Sequence, residues 1–199
     1  ILATPESIRI MVEALENNSE LGMVYGRQLP HRNAELLESH ARLFNYPPIS
    51  KVKSMADADR LGIRTISCSN SFAAYRKSAF FEAGGFPSGS ILGEDVLIGG
   101  KMLLKGWKIA YLSDAKVYHS HDYSAQEEFK RYFDIGVFHA NNEWIFKHFG
   151  RAESEGFNFL KSELSHTARN NPFLIPKSML ATLAKWLGYK FGLKFHLFP

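Results

Sequence analysis

Residues 93–101 read Gly-Glu-Asp-Val-Leu-Ile-Gly-Gly-Lys, and this stretch predicts the fold of the middle of the chain. Two adjacent acids, Glu94 and Asp95, follow a glycine and open an apolar run that predicts a helix from Gly93 to about Lys105. Acids in a first turn complement the helix dipole. A carboxylate fixed at a loop-to-helix junction can also accept a proton from a hydroxyl. Asp95 is therefore a candidate general base braced by Glu94, while a purely structural role for both acids stays open.

A segment of small polar residues lies upstream of these acids. The alternation of apolar residues over 63–75 predicts a strand or a strand pair. Its middle, residues 67–71, reads Ser-Cys-Ser-Asn-Ser, and such small hydrogen-bonding groups suit the close approach of a polyhydroxylated ligand. Ser69, Asn70 and Ser71 are thus candidate ligand contacts, and a plain strand with a turn is the alternative.

Two histidines and an acid, His119, His121 and Asp122, lie downstream at the end of a predicted strand. Residues two apart on a strand face the same way, so both imidazoles can reach one cation. Asp122 can orient one of them by a hydrogen bond. Two histidines rarely complete a metal site, so a further carboxylate from another segment is needed. A metal-dependent hydrolase is one hypothesis for this trio, and a polar strand end with one buried histidine is the alternative.

The N-terminal part predicts an α/β arrangement. After a first helix, residues 22–26 form a short buried strand that ends at Arg27, and ligands of open α/β sheets bind at that end of a strand. Arg27 is either a phosphate ligand or a surface arginine in a salt bridge. Residues 33–46 predict a helix, and 49–62 a mobile polar excursion. That excursion contains Asp57-Ala58-Asp59, which lacks a preceding strand and indicates a charged surface rather than a metal site.

The C-terminal part is predicted to be mainly helical. Strands are expected over 107–112 and 115–119. A long helix follows to Gly150, and its N-cap Ser124 forms a capping box with Glu127. The aromatic stripe along this helix is typical of a buried core.

Residues 172–199 form a basic amphipathic tail. They include four lysines and no acid, and they follow a linker and a polar helix over 157–170. A helix from Ser178 to about Lys194 places apolar residues on one face. Such a tail is typical of a contact with a membrane surface or an acidic partner, and a helix packed on a partner or on a further domain is the alternative.

Composition bounds the class of protein. With 199 residues, 45% of them hydrophobic and 22% charged, the chain is long enough for a globular core. The single cysteine, Cys68, forms no internal disulfide and favours a reducing compartment, which predicts a cytoplasmic protein. The net charge of +4 comes without a dense Lys/Arg stripe, which argues against nucleic acid as a partner. The chain begins at Ile1 without Met, and we expect a piece of a longer protein.

Four motifs in a fixed order carry a resemblance to a known family. They are residues 84–86 (Gly-Gly-Phe), 93–95 (Gly-Glu-Asp), 106–111 (Gly-Trp-Lys-Ile-Ala-Tyr) and 115–119 (Ala-Lys-Val-Tyr-His). In this order and spacing they resemble the C-terminal half of family 2 glycosyltransferases with the GT-A fold. Residues 24–30 (Val-Tyr-Gly-Arg-Gln-Leu-Pro) and 131–137 (Arg-Tyr-Phe-Asp-Ile-Gly-Val) resemble the bacterial rhamnosyltransferase branch.

The resemblance implies an α/β fold in two parts. Residues 1–150 would form the acceptor-binding and catalytic half of a GT-A (Rossmann-like) mixed sheet with flanking helices, and 151–199 a helical extension. It also implies an inverting reaction, in which an acceptor hydroxyl attacks the anomeric carbon of a nucleotide sugar in one displacement. The donor in this branch is dTDP-rhamnose, and the acceptor is a lipid-linked glycan or a growing surface polysaccharide. The tail is then expected to lie peripherally on the inner face of the plasma membrane.

The resemblance also implies roles for site residues. Asp95 matches the family's base. His119 matches its late histidine, which can complete a divalent Mg²⁺ or Mn²⁺ site that is largely held by residues upstream of Ile1. The strand with Ser69-Asn70-Ser71 and the loop with Gly85-Phe86 match the acceptor side.

Two features depart from the family pattern. The family's nucleotide-binding half and its metal-binding Asp-x-Asp would precede Ile1, and Asp57-Ala58-Asp59 comes too late to replace them, so this chain alone is expected to be inactive. Residues 126–130 (Gln-Glu-Glu-Phe-Lys) differ from the Gln-x-x-Arg-Trp of processive synthases, which favours transfer of one or a few sugars. A non-catalytic module that docks on a membrane through residues 172–199 is a third hypothesis.

Overall fold

The computed structural model describes residues 1–90, 92–151 and 155–197. Their strands form one mixed sheet in the order β2-β4-β1-β3. The two central strands, β1 and β4, run parallel, and the short outer strands pair antiparallel with them. The strands are β1 (Leu21–Leu29), β2 (Lys51–Lys53), β3 (Ala73–Tyr75) and β4 (Lys108–Tyr118). An α/β fold is confirmed, and the carboxyl ends of β1 and β4 lie side by side at one edge of the sheet.

Helices cover both faces of this sheet. The larger apolar cluster holds Met23, Ile98 and Ile109, and the smaller one holds Met11 and Val24 on the opposite face. Alternation along β1 explains the division, because successive side chains of a strand point to opposite faces. The helices are α1 (Ser7–Asn17), α2 (Leu36–Asn45), α3 (Ala58–Leu61), α4 (Lys77–Glu82), α5 (Glu94–Leu104), α6 (Ala125–Asn141), α7 (Trp144–Phe149), α8 (Glu155–Asn170) and α9 (Ile175–Gly192).

The glycine pair in the middle of α5 lets neighbours pack directly on the helix backbone. A Cβ on Gly99 would lie 3.2 Å from Cδ1 of Ile109, and one on Gly100 would lie 2.9 Å from the ring of Trp144. Glycine lowers helix stability by about 1 kcal/mol relative to alanine. The close contacts with β4 and α7 offset that cost.

The predicted strand over 63–75 is wrong for most of its length. Residues Gly62–Ile66 and Asn70–Phe72 form 3₁₀ turns, and only β3 at the end of the segment pairs in the sheet. The reason is a buried amine: Nζ of Lys53, a residue that is 5% exposed, donates to the carbonyl oxygens of Arg64 and Ser67. These carbonyls therefore bind a side chain instead of a neighbouring strand, and burial lowers the pKa of Lys53 to about 8. Lys53 lies in β2, a strand within the segment 49–62 that was predicted to be a mobile excursion.

The two strands predicted over 107–119 are one strand, β4, with an irregularity. Pairing with β1 jumps from Gly26 opposite Leu112 to Arg27 opposite Lys116. The bulge brings the carbonyl of Ala115 so close that a Cβ on Gly26 would lie 2.5 Å from its oxygen. Glycine at position 26 therefore permits the strand to continue through the bulge.

The long helix predicted up to Gly150 is two helices, α6 and α7. The predicted start is confirmed, since Ser124 and Glu127 form the capping box. The break comes at Asn142, whose side-chain amide donates to the carbonyl oxygen of Phe138 (2.8 Å). The turn directs Trp144 toward α5.

The last helix, α9, packs along α6. It begins at Ile175, three residues before the predicted start, because Pro176 fits the first turn of a helix. Within the described part of the chain, no helix combines the length and apolar character needed to cross a bilayer.

Candidate functional site

The two acids lie at the N-terminus of α5. Gly93 has φ +76°, and a Cβ there would lie 2.6 Å from the ring of Phe138, so both backbone conformation and space require glycine. This turn fixes Glu94 and Asp95 in the first helical residues. The amide of Val96 donates to Oδ1 of Asp95 (2.8 Å).

Asn70 holds both acids at once. Its backbone amide donates to Oδ2 of Asp95 (3.1 Å), and its side-chain amide donates to Oε1 of Glu94 (3.0 Å). The hydroxyl of Tyr75 donates to Oδ1 of Asn70. The sequence pattern marks Asn70 and the two acids separately. The structure brings the three together, and Glu94 braces the residue that holds Asp95.

The environment of Asp95 makes its carboxylate a stronger base than a solvated one. Burial raises its pKa, the amides of Asn70 and Val96 oppose that shift, and the charge of Glu94 raises the pKa further. Each carboxylate oxygen accepts one of the two backbone bonds and keeps a free lone pair. Asp95 can therefore accept a proton from a hydroxyl placed within hydrogen-bond reach.

The two histidines lie where β4 ends. Backbone pairing of His119 with Leu29 fixes its position next to the end of β1 (2.9 Å). The Nε2 atoms of His119 and His121 are 3.1 Å apart, and Oγ of Ser71 lies 3.2 Å from Nε2 of His119. Burial lowers the pKa of both imidazoles, and so does the positive charge of Arg42. Both rings are thereby favoured in the neutral form that binds metals.

Residues 69–71 connect the acids to the histidines. Asn70 contacts the acids, and Ser71 contacts His119. Ser69 is held from the sheet side, where the amide of Gln28 donates to its Oγ (2.8 Å). Gln28, which is 1% exposed, accepts in turn from Arg42 (2.7 Å).

Three of these supporting residues, Gln28, Arg42 and Tyr75, are not among the site residues that the sequence predicts. A buried glutamine at the end of β1 was a usable signal, since a polar residue inside an apolar strand needs a partner. No comparable signal marked Tyr75, whose role depends on the fold of residues 70–75.

Asp122 does not join the histidines. Its carboxylate lies 3.9 Å from Nζ of Lys177 in α9, and its side chain is 51% exposed. Among the residues that the structure describes, no three His, Cys, Asp or Glu side chains converge as metal ligands. The hydrolase trio is therefore not assembled within these residues.

Arg27 has neighbours outside the acid and histidine network. Its Nε donates to the carbonyl oxygen of Tyr46 (3.0 Å). Among the described side chains it forms no ion pair with an acid, so the surface salt bridge considered for it is not the arrangement found.

The loop of Gly85 and Phe86 reaches the site through one aromatic ring. Gly85 has φ +67°. Phe86 packs edge-on against Tyr75 (5.7 Å between ring centroids) and Phe80 (4.9 Å), and it stays 47% exposed. Since Tyr75 binds Asn70, this loop and the two acids share a neighbour.

Asp57 has a structural role. Its carboxylate accepts from the backbone amide of Ser54 (3.0 Å) and pairs with Arg60 (2.6 Å), and these bonds lower its pKa. The motif at Asp57 and Asp59 is thus the charged surface turn that the sequence indicated.

The chain is similar to two curated O-antigen enzymes. It is 50% identical over all 199 residues to the O-antigen chain rhamnosyltransferase RfbN of Salmonella typhimurium, of which it covers 63%. It is also 50% identical over 186 residues, 94% of the chain, to the O-antigen chain rhamnosyltransferase WbaN of Salmonella anatum, of which it covers 59%. The chain therefore spans about three fifths of the length of these relatives. No family model matches it.

Proposed function

We propose that the chain is the acceptor-binding and catalytic part of an inverting rhamnosyltransferase with the GT-A fold, acting in the synthesis of an O-antigen or a related surface polysaccharide. Its 50% identity to two O-antigen chain rhamnosyltransferases supports the class. The observation that carries the mechanism is the position of Asp95, held with Glu94 by Asn70 at the start of α5. Because the proposed donor is a nucleotide sugar, the proposal includes that the reaction takes place in the cytoplasm.

Asp95 is the general base of this proposal. The acceptor hydroxyl gives its proton to the Asp95 carboxylate while its oxygen forms a bond to the anomeric carbon of the donor. The bond from that carbon to the diphosphate oxygen breaks, and the nucleoside diphosphate leaves with the electron pair. The raised pKa of Asp95 helps because a stronger base takes the proton more readily near neutral pH.

A cleft near the α5 N-terminus suits the sugar units of the acceptor beyond the reacting hydroxyl, since Asp95 and Glu94 are not among the residues that line it. It has a volume of about 260 Å³ and lies between the loop after Phe86 and α6. Hydroxyl, amide and carboxylate groups face it, which is the chemistry that binds sugar hydroxyls. The polar lining residues are Ser88, Ser90, Asp134, Asn141 and Asn142.

The histidine pair fits part of a divalent metal site. Two nitrogens about 2.1 Å from one cation are separated by roughly 3.0–3.4 Å, and the Nε2 atoms of His119 and His121 are 3.1 Å apart. A divalent cation bound here with further ligands from outside the chain would neutralise the charge of the leaving diphosphate. The proton transfer assigned to Asp95 does not depend on it.

The base assignment is tested by Asp95→Asn. Because the chain covers three fifths of its relatives, the assay is run on the full-length gene product. With dTDP-rhamnose and a lipid-linked acceptor, we expect the rate to fall by about 10²–10⁴-fold. The melting temperature should fall by only a few degrees, since Oδ1 of the asparagine keeps one of the two backbone bonds that the aspartate accepts.

Asp114→Asn is the matched control, because Asp114 is an exposed acid of β4 outside the site. It should keep the parent rate. Full activity of a folded Asp95→Asn enzyme would contradict the assignment of Asp95 as the base. If the parent enzyme transferred sugar from no nucleotide sugar at all, the proposed function itself would be wrong.

The metal assignment is tested by binding rather than by activity. Titration of Mn²⁺ followed by electron paramagnetic resonance should show affinity at least about tenfold weaker in His119→Ala. His148→Ala, at an exposed histidine of α7, should bind as the parent does. Tight Mn²⁺ binding that survives His119→Ala and His121→Ala would place the cation elsewhere.

A further inference from the structure

Helix α9 is fixed on α6 by its glycine face. A Cβ on Gly188 or Gly192 would collide with the carbonyl oxygens of Phe129 and Phe133. The two helix backbones therefore touch along this line, so α9 cannot rotate about its own axis. Its opposite side is held facing away from α6.

That opposite side is apolar and exposed. Its residues within the helix are all more than half exposed, and each flank adds one further large apolar residue. The six residues, here called the α9 outer face, are Phe173 (91% exposed), Met179 (58%), Leu180 (58%), Leu183 (51%), Trp186 (56%) and Leu197 (66%). Several large apolar side chains exposed along one helix and the turns that flank it mark an interaction site rather than an ordinary solvated helix.

Unpaired positive charge lies at the C-terminal end of this face. Residues 172–199 contain four lysines and no acid. Lys177 and Lys185 bind acids of the body, Glu35 (2.7 Å) and Glu128 (3.2 Å). Lys190 and Lys194 are exposed at the C-terminal end of α9 and have no acidic partner among the described residues.

We infer that the α9 outer face binds the surface of a bilayer that contains anionic lipids. Trp and Leu side chains on a helix that lies flat bury themselves at the boundary of the acyl chains, and neighbouring lysines attract anionic headgroups. A second copy of this chain is a poor occupant, because it would set Lys190 and Lys194 against the same two lysines, while the acids beside α9 already pair with Lys177 and Lys185. A lipid surface complements both the apolar residues and the charge.

The docked orientation has a consequence for the candidate site. Lys177, near the N-terminal end of α9, lies 3.9 Å from Asp122, and Asp122 follows His121. The lipid-facing helix is thus joined to the edge of the acid and histidine network. If the proposed function holds, on which this one step depends, the enzyme and its lipid-linked acceptor are held at the same membrane surface.

The inference is tested by sedimentation with vesicles. The full-length gene product is mixed with vesicles of pure phosphatidylcholine or with vesicles in which roughly 30 mol% of the lipid is anionic phosphatidylglycerol, because anionic headgroups attract lysines. The parent protein should bind the anionic vesicles more tightly. Leu183→Glu with Trp186→Glu should weaken binding at least about tenfold, since two large apolar side chains are lost from the contact.

Two further variants separate the contributions. Lys190→Gln with Lys194→Gln leaves the packing on α6 intact and should reduce the preference for anionic vesicles by about fivefold per lysine. Ile8→Glu changes an apolar residue of α1 that is 54% exposed, and it should bind as the parent does. Circular dichroism confirms that each variant is folded.

Three outcomes would overturn the inference. The first is equal vesicle binding by the parent and by the double variant Leu183→Glu with Trp186→Glu. The second is equal binding of the parent to neutral and anionic vesicles. The third is a parent protein that binds no vesicles but forms a dimer, which the double variant converts to a monomer. Sugar transfer is not measured in this experiment. Failure of the docking surface and failure of the proposed reaction are therefore distinguishable.

Discussion

The candidate site and the contact between α6 and α9 hold their parts together in opposite ways. At the site, side chains of three distant segments meet through hydrogen bonds, with Asn70 joining Glu94 and Asp95 and Ser71 joining His119. Between α6 and α9, glycines bring two helix backbones into contact.

This difference predicts different responses to substitution. A hydrogen-bonded site with half-buried acids can lose its chemistry while the fold remains, because each bond adds only about 1 kcal/mol to stability. A backbone contact without side chains has no freedom to adjust, so the smallest added group disturbs it. The following substitutions test that contrast, beginning with the largest expected loss of stability.

Gly192→Ala should be the most destabilising of these substitutions. The new Cβ collides with the carbonyl oxygen of Phe133, a backbone atom that cannot rotate away. We expect the free energy of unfolding to fall by about 3 kcal/mol, as overpacking in a rigid contact does. Urea denaturation monitored by circular dichroism measures the change.

Gly156→Ala is the control for this substitution. Gly156 lies in α8 with nothing within 4 Å of the position of its Cβ. Alanine there should raise stability by about 0.5–1 kcal/mol, because it is a better helix former than glycine. Equal effects of the two alanines would mean that α6 and α9 do not touch as described.

Asn70→Ala should have the next largest effect. It removes the side-chain bonds to Glu94 and Tyr75 and leaves both groups unpaired in a partly buried place. The expected loss is about 2 kcal/mol of unfolding free energy, and sugar transfer by the full-length enzyme should fall as well. Asn45→Ala removes a single exposed bond to Ala41 and should change stability by less than about 0.5 kcal/mol.

Local patterns in the sequence predicted much of the fold. The strand at β1, the helix after Gly93 and the capping box of Ser124 each depend on residues within a few positions of one another. Such features depend on neighbouring residues, so they can be predicted from a single sequence.

Features that depend on distant partners were not predictable. The 3₁₀ turn of residues 62–66 forms because Lys53 donates to carbonyls that a strand would otherwise pair. Gln28 supports the site only because the fold places Ser69 beside it. The α9 glycines are explained by α6, to which no local pattern points.

Lowering the pH should weaken the α6 and α9 contact through His139. Nδ1 of His139 lies 3.0 Å from the hydroxyl of Tyr189. Burial, and then the charge of Arg151, lower the pKa of His139 from 6.5 to about 4. Because the folded value lies below the unfolded value, the unfolded chain binds the proton more readily, and stability present above pH 6.5 is lost as the pH falls toward 4.

The expected loss between pH 7 and pH 5 is about 1 kcal/mol, discounted for the part of the ring that solvent reaches. Urea denaturation at several pH values measures it. His139→Phe should flatten this part of the profile, while His148→Gln, at an exposed ring of α7, should leave it unchanged. An identical slope in His139→Phe would assign the pH dependence to other groups.

Ser124→Ala tests whether the two regions are independent, because Ser124 stands between them. It follows the histidine segment and caps α6. The Ser124 Oγ accepts from the backbone amide of Glu127 (3.3 Å), and the backbone amide of Ser124 donates to the Glu127 carboxylate (2.8 Å). Loss of the cap should lower the unfolding free energy by about 0.5–1 kcal/mol, and Ser124→Asn should restore most of it, since asparagine caps as well as serine does. If the site is held by Asn70 and Ser71, as its contacts indicate, sugar transfer per folded enzyme should not change in Ser124→Ala. A loss of transfer that Ser124→Asn reverses would instead show that the start of α6 positions the histidines, and the site would then extend into the helix that carries α9.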